Sequence, residues 1–242
     1  MIKIEHLSKT YKRLVLNDIS VTFPERQVSV IVGINGSGKT TFLDCVVGLK
    51  RPSEGEIWID SHHNQSNSFK EQVFYIPSDF YLPDYMTGDE YIQFVLARYQ
   101  NADLDKVDSF FELYNLKEAK NQLLESYSFG MKKKVQIIAA VLSNAPYVLG
   151  DEVFNGLDFE TTLITVKLFQ ALLDHRSFVL ISHNMTIINH FCDHIFLMSN
   201  GKLVPFTGDA SQLEAEVLRT ESVHDKITFI QRYATFDDNV SE

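Results

Sequence analysis

Nine consecutive residues, Gly33, Ile34, Asn35, Gly36, Ser37, Gly38, Lys39, Thr40 and Thr41, satisfy the pattern GxxxxGK[ST] directly after the apolar run at 28–32. The glycines let successive backbone N–H groups converge on phosphate oxygens. The N-terminus of the following helix adds positive potential. Lys39 supplies a point charge, and the Thr40 hydroxyl can ligate Mg2+. The stretch therefore reads as a phosphate-binding loop. By itself such a loop names a ligand and not a function.

A second chemical pair closes the apolar run Tyr147, Val148, Leu149, Gly150. Asp151 stands where a carboxylate can hold the Mg2+ shell, and Glu152 where one can orient or deprotonate an attacking water. Acids at such a point also serve as helix caps, which is the structural alternative. Upstream, Tyr127, Ser128, Phe129, Gly130 and Met131 run into Lys132, Lys133 and Lys134 ahead of a helical stretch. Ser128 there reads either as an N-cap or as part of a site. The lysines read either as a solvated face or as charge waiting for an anion.

Elements must hold these groups in place, and the hydrophobic period suggests which. Residues 1–78 alternate like strands, with one helix opening after the glycine loop. From 79 to 144 the period turns helical, with Leu104, Val107, Phe110, Phe111 and Tyr114 at three-and-four spacing. Strands return from 145 to 208 around a helix near 159–174, and 209–242 reads as a helical C-terminal extension. The expected fold is α/β: a mostly parallel sheet core (1–78 and 145–208) interrupted by an inserted α-helical subdomain (79–144).

The bulk properties narrow the function classes. With 242 residues, of which 45% are hydrophobic, the chain can bury a sizeable core, and disorder is excluded. A formal net charge of −10 argues against broad binding to a nucleic-acid backbone. No apolar segment is long enough to cross a bilayer, so a membrane role would come through partners. Cys45 and Cys192 lack any metal-ligand spacing and read as buried thiols in a reducing compartment. His62 and His63 are expected in a polar, exposed loop.

The order and spacing of these motifs resemble the nucleotide-binding subunits of ATP-binding cassette (ABC) transporters over nearly all of residues 1–208. The resemblance implies a P-loop NTPase (RecA-like) core with an N-terminal antiparallel β subdomain, ATP and Mg2+ as cofactors, and an ATPase coupled to transport. Tyr11 falls where the family stacks an aromatic on adenine, although a lone tyrosine is more often partly buried packing. Ser128 and Gly130 fall in the signature motif, here YSFGM, which in the family contacts ATP held by the opposite subunit. Asn155, Gly156, Leu157 and Asp158 match the D-loop, and His183, after FVLIS, matches the switch histidine. Ser78 stands where the family has a glutamine, and its short hydroxyl would reach Mg2+ through water or not at all.

The resemblance also implies partners. They are a second copy or a related cassette in a head-to-tail dimer, and integral membrane permease subunits at the inner face of the cell membrane. Residues 79–94 are similar to the bacterial export-type branch. A regulatory ATP-binding module with weak turnover is the alternative, and a nucleic-acid-linked ABC ATPase a weaker one. Direct nucleic-acid partners are not expected.

Overall fold

The computed structural model describes residues 1–79, 81–191 and 194–208, with 212, 213, 216 and 228–230 beyond them. Most of the expected C-terminal extension, and Cys192, therefore lie outside the described residues.

Two sheets are built from ten strands among the described residues. β1 (Ile2–Thr10), β2 (Leu14–Phe23), β4 (Glu54–Ile59) and β5 (His62–His63) form an antiparallel sheet in the order β2-β1-β4-β5. The second sheet has the order β10-β9-β3-β8-β7-β6. It contains β3 (Val28–Val32), β6 (Val73–Ile76), β7 (Tyr147–Asp151), β8 (Ser177–Ile181), β9 (Ile195–Ser199) and β10 (Lys202–Phe206). All of its pairings are parallel except β9–β10.

The nearly continuous apolar strands at its centre, buried at every position, are explained by burial on both faces. Val28, Val30 and Val32 of β3 face one core with Phe178 and Leu180 of β8. Their neighbours Ile31, Val179 and Ile181 face the other. The period of two thus splits one strand between two cores.

The antiparallel sheet and α1 (Lys39–Val46) cover one face, contributing Ile4, Leu16, Phe23 and Phe42. α2 (Asn67–Gln72), capped by Ser66, adds Phe69 to that side. The other face is covered by α3 (Gly88–Leu96), α4 (Val107–Leu113), α5 (Phe129–Leu142), α6 (Phe159–Ala171) and α7 (Met185–His190). The antiparallel N-terminal β subdomain and the helical insertion expected from the sequence are both present in this α/β fold.

Local chemistry sets the helix starts. Thr87 and Glu90 form a capping box at α3, Ser128 accepts from Met131 N at α5, and Asp158 accepts from Thr161 N at α6. Two motif residues are thus also N-caps. At the far end of α5, buried Arg176 donates to the Val141 carbonyl at 2.7 Å and to the Asn144 side chain.

Two local expectations change. His62 and His63 form β5 instead of an exposed loop. Both are half-buried, with His62 Nδ1 3.1 Å from Gln72 and His63 edge-on to Trp58, because β4 supplies a free strand edge there. Lys133 is completely buried instead of lying on a solvated face. Lys132 and Lys134 instead meet surface acids, Asp84 at 3.1 Å and Asp158 at 3.5 Å.

Candidate active site

The site lies at the carboxyl ends of the parallel strands, because the loops that carry its residues leave the sheet on that edge. β3 ends into the glycine loop, β6 into Pro77 and Ser78, β7 into Asp151 and Glu152, and β8 into Ser182 and His183. Pairing Ile76 with Gly150 and Asp151 with Ile181 levels these ends. They surround a cavity of about 420 Å³ whose wall includes Asn35, Lys39, Thr40, Asp151, Glu152 and His183.

The loop's glycines are needed where they stand. Gly36 and Gly38 have φ of 81° and 108°, in the left-handed region. A Cβ on Gly33 would lie 2.2 Å from the Met198 carbonyl oxygen, so the loop is packed down on β9. Lys39 is 8% exposed and donates to the carbonyls of Gly33 at 2.7 Å and Ile34 at 3.0 Å, so its ammonium bends back over its own loop. Burial lowers its pKa, while the negative charges of Glu152 and Asp151 oppose that shift. The Ser37 hydroxyl is buried and has no hydrogen-bond partner among the described residues.

Across the cavity, the Thr40 hydroxyl donates to Asp151 Oδ2 at 2.7 Å. Burial raises the Asp151 pKa, opposed by hydrogen bonds from Thr40 and Ser78 and by the charges of Lys39 and Lys133. Burial and the adjacent Asp151 push Glu152 up to about 7. Glu152 has φ of 50°, which turns the chain sharply off β7 and sends its carboxyl into the cavity. His183 places Nε2 3.2 Å from Glu152 Oε1, close beside the carboxyl but not aligned as a hydrogen bond. Burial and Lys39 lower the histidine's pKa, so the neutral ring is favoured.

Of the residues singled out in the sequence, Asn35, Gly36, Gly38, Lys39, Thr40, Thr41, Ser78, Asp151, Glu152 and His183 line this one cavity. Tyr11 does not: it is 52% exposed beside Lys9 in the turn joining β1 and β2, and Val15 forms that part of the wall. Ser128, Gly130 and Asp158 lie away from it as well. Gly130 packs so closely on Gly156 that a Cβ would be 2.7 Å from its carbonyl oxygen. Asn155 and Val15 line the cavity without having been assigned a site role from sequence. Asn155 sits in the quoted D-loop, which was a usable signal, whereas Val15 carried none.

A glycine loop folded under a lysine, opposite two acids at the edge of a parallel sheet, defines a P-loop nucleoside-triphosphatase. The ABC transporter family pattern matches residues 16–155, and the chain belongs to that family. It is 30% identical over 220 residues to the methionine import ATP-binding protein 1 of Oceanobacillus iheyensis, covering 84% of this chain and 65% of that protein. The chain thus spans just under two thirds of the length of such methionine-import relatives.

It is also 30% identical to the arginine transport ATP-binding protein of Bacillus subtilis, over 84% of this chain and 90% of that one. The lipopolysaccharide export system ATP-binding protein of Haemophilus influenzae is 29% identical, over 86% and 90% respectively. An exporter and importers thus stand at nearly equal distance, so these likenesses do not single out the export-type branch.

Among solved structures, an ATP-binding subunit of an ABC transporter superposes with a TM-score of 0.81 at 22% identity, covering 94% of this chain and 99% of the other. A dimeric cassette bound to ADP and Pi superposes at 0.77 and 22%, covering 86% and 100%. These two likenesses establish the fold.

Proposed function

We propose that the chain is the ATP-binding and hydrolysing subunit of an ABC transporter and powers movement of cargo through separate membrane-spanning subunits. The observation that carries this reading is the meeting of Lys39, Thr40, Asp151, Glu152 and His183 around one cavity. The division into core (1–78, 145–208), helical insert (79–144) and extension (209–242) is part of the same reading.

The residues fit the ligands. Ser37 offers an unspent buried hydroxyl, the left-handed glycines turn backbone N–H groups inward, and Lys39 can trade its two loop carbonyls for phosphate oxygens. Gly33, Ile34, Asn35, Gly36, Ser37, Gly38, Lys39, Thr40 and Thr41 form this cradle. Thr40 and Asp151 would hold Mg2+, with Ser78 beside Asp151. Oxygen donors of this kind suit a hard cation completed by substrate phosphates. When bound, Mg2+ would neutralise charge on the transferred phosphoryl group. Glu152 orients the attacking water and takes up its proton, and His183 steadies the Glu152 carboxyl from 3.2 Å. Tyr11 stacks on the adenine in this reading.

Ser128, Gly130 and Asp158, which lie off the cavity, serve the site of a second cassette in a head-to-tail dimer. Exposed Tyr81, Tyr85 and Phe94 supply apolar surface for the membrane subunits. Among the described residues, no helix is long and apolar enough to cross a membrane. We place the chain at the cytoplasmic face, held there by its permease. Export is the direction suggested by residues 79–94 alone.

A regulatory module with weak turnover is the second reading, favoured by the exposed Phe129 ring lying across Gly156 at the start of the signature helix. Mg2+-dependent phosphate release over a protein concentration series, with Glu152→Gln as the blank, separates the two. Turnover rising faster than concentration supports the dimeric motor. No release above the blank, with and without permease in vesicles, removes it.

A further inference from the structure

Three lysines in a row follow the first three residues of α5, and their side chains part company. Lys132 and Lys134 end at acids on the surface, whereas Lys133 points inward and is 0% exposed. An ammonium in such a place is strongly unfavourable unless hydrogen-bonded and matched by charge. Lys133 Nζ donates to the Pro77 carbonyl at 2.7 Å. The charges facing it are those of Asp151, Glu152 and Asp79. Burial brings its pKa down to about 8, and those acids hold it from falling further.

Pro77 lies one residue beyond β6, where the parallel ladder has ended at Ile76 and Gly150. The ladder therefore does not fix this carbonyl; Lys133 does. The next residue, Ser78, lines the cavity together with Asp151 and helps hold that acid's pKa down against burial. A serine hydroxyl is two bonds from the backbone, so its position is decided by where the backbone at Pro77 and Ser78 is held.

We propose that Lys133 is a positioning residue for the cation site: by holding the Pro77 carbonyl it sets the Ser78 hydroxyl against Asp151 and ties the signature helix to that acid. This deepens the Mg2+–ATP reading of the cavity and rests on it.

The test uses the full chain as wild type, Lys133→Met, Ser78→Ala and the double variant. Methionine keeps the buried stem and removes the ammonium. Amide exchange at Ser78 and Asp79, measured without nucleotide or metal, is expected to quicken about 10-fold in Lys133→Met and to stay unchanged in the rest of the sheet. In phosphate release, Lys133→Met and Ser78→Ala should each raise the Mg2+ concentration for half-maximal rate, leave ATP affinity in EDTA unchanged, and fail to multiply in the double variant.

Unchanged exchange at Ser78 and Asp79 overturns the proposal, as do losses that multiply. If Lys133→Met does not fold, Ser78→Ala alone decides, and a wild-type Mg2+ requirement overturns it. Wild type that never exceeds the Glu152→Gln blank counts against the ATPase reading instead, while the exchange measurement still reads the tether.

Discussion

Glu152 gives a prediction that separates its charge from its chemistry. Its side chain is 15% exposed and its carboxyl is held near 7 against an ordinary 4.5, by burial first and then by Asp151. The folded chain therefore binds this proton more tightly than the unfolded chain does. Stability is lost as pH rises from about 4.5 to about 7, and the loss stays constant above that. The ionised form is disfavoured by at most about 3 kcal/mol.

Glu152→Gln keeps the shape and removes the charge. The variant should be more stable than wild type at pH 8, with melting raised by roughly 5–10 °C for a chain of this size. The two should melt together near pH 4.5. Calorimetry of nucleotide-free protein in EDTA at pH 4.5, 6 and 8 reads this directly. A stability difference that is the same at all three values would refute the burial argument, whatever the variant does to turnover.

Other expectations follow from single contacts. Lys39→Ala should weaken ATP binding about 10- to 100-fold and abolish phosphate release, since one charged partner of the phosphates is lost; equilibrium binding and release assays check both. Gly156→Ala should destabilise the chain by about 1–3 kcal/mol, because φ is 78° and the new Cβ would lie 2.2 Å from the Phe129 ring. Adding Phe129→Ala should recover the steric part of that loss in urea unfolding. Tyr114→Phe should cost about 1 kcal/mol in the same experiment, through loss of the buried 3.1 Å contact with the Thr165 hydroxyl.

The parts of the fold with the strongest period were readable in the sequence. Residues 28–32, 147–151 and 177–181 are buried throughout and mostly apolar, with Ser29, Asp151 and Ser177 as the polar exceptions, because both faces of their sheet are covered. The glycine loop and the acid pair, which share one cavity, stood out because few other residue orders place those groups after a buried strand. Lys133 was not, since a lysine triplet reads as solvated until the phase of α5 against β6 is known. His62 and His63 were missed because a two-residue edge strand has no period to detect. Val15 reaches the cavity through the hairpin's placement over the loop, a long-range effect with no local mark. The position of Tyr11 off the wall has the same origin.

α5 is secured near both ends, by Lys133 on Pro77 and by Arg176 on Val141. At about 1.5 Å per residue these fastenings are roughly 12 Å apart, and the stretch from Lys133 back to Phe129 extends about 6 Å past the first of them. Mechanically the helix is a beam clamped at two points with a short overhang that rests on Gly156, and Ser128 sits at its tip. A beam so held cannot swing as a rigid rod about one pivot without tearing a buried charged contact. Displacement of the tip must come from flexing that first turn or from carrying the β6 end along with it. A load applied at Ser128 is therefore felt at the edge of the sheet.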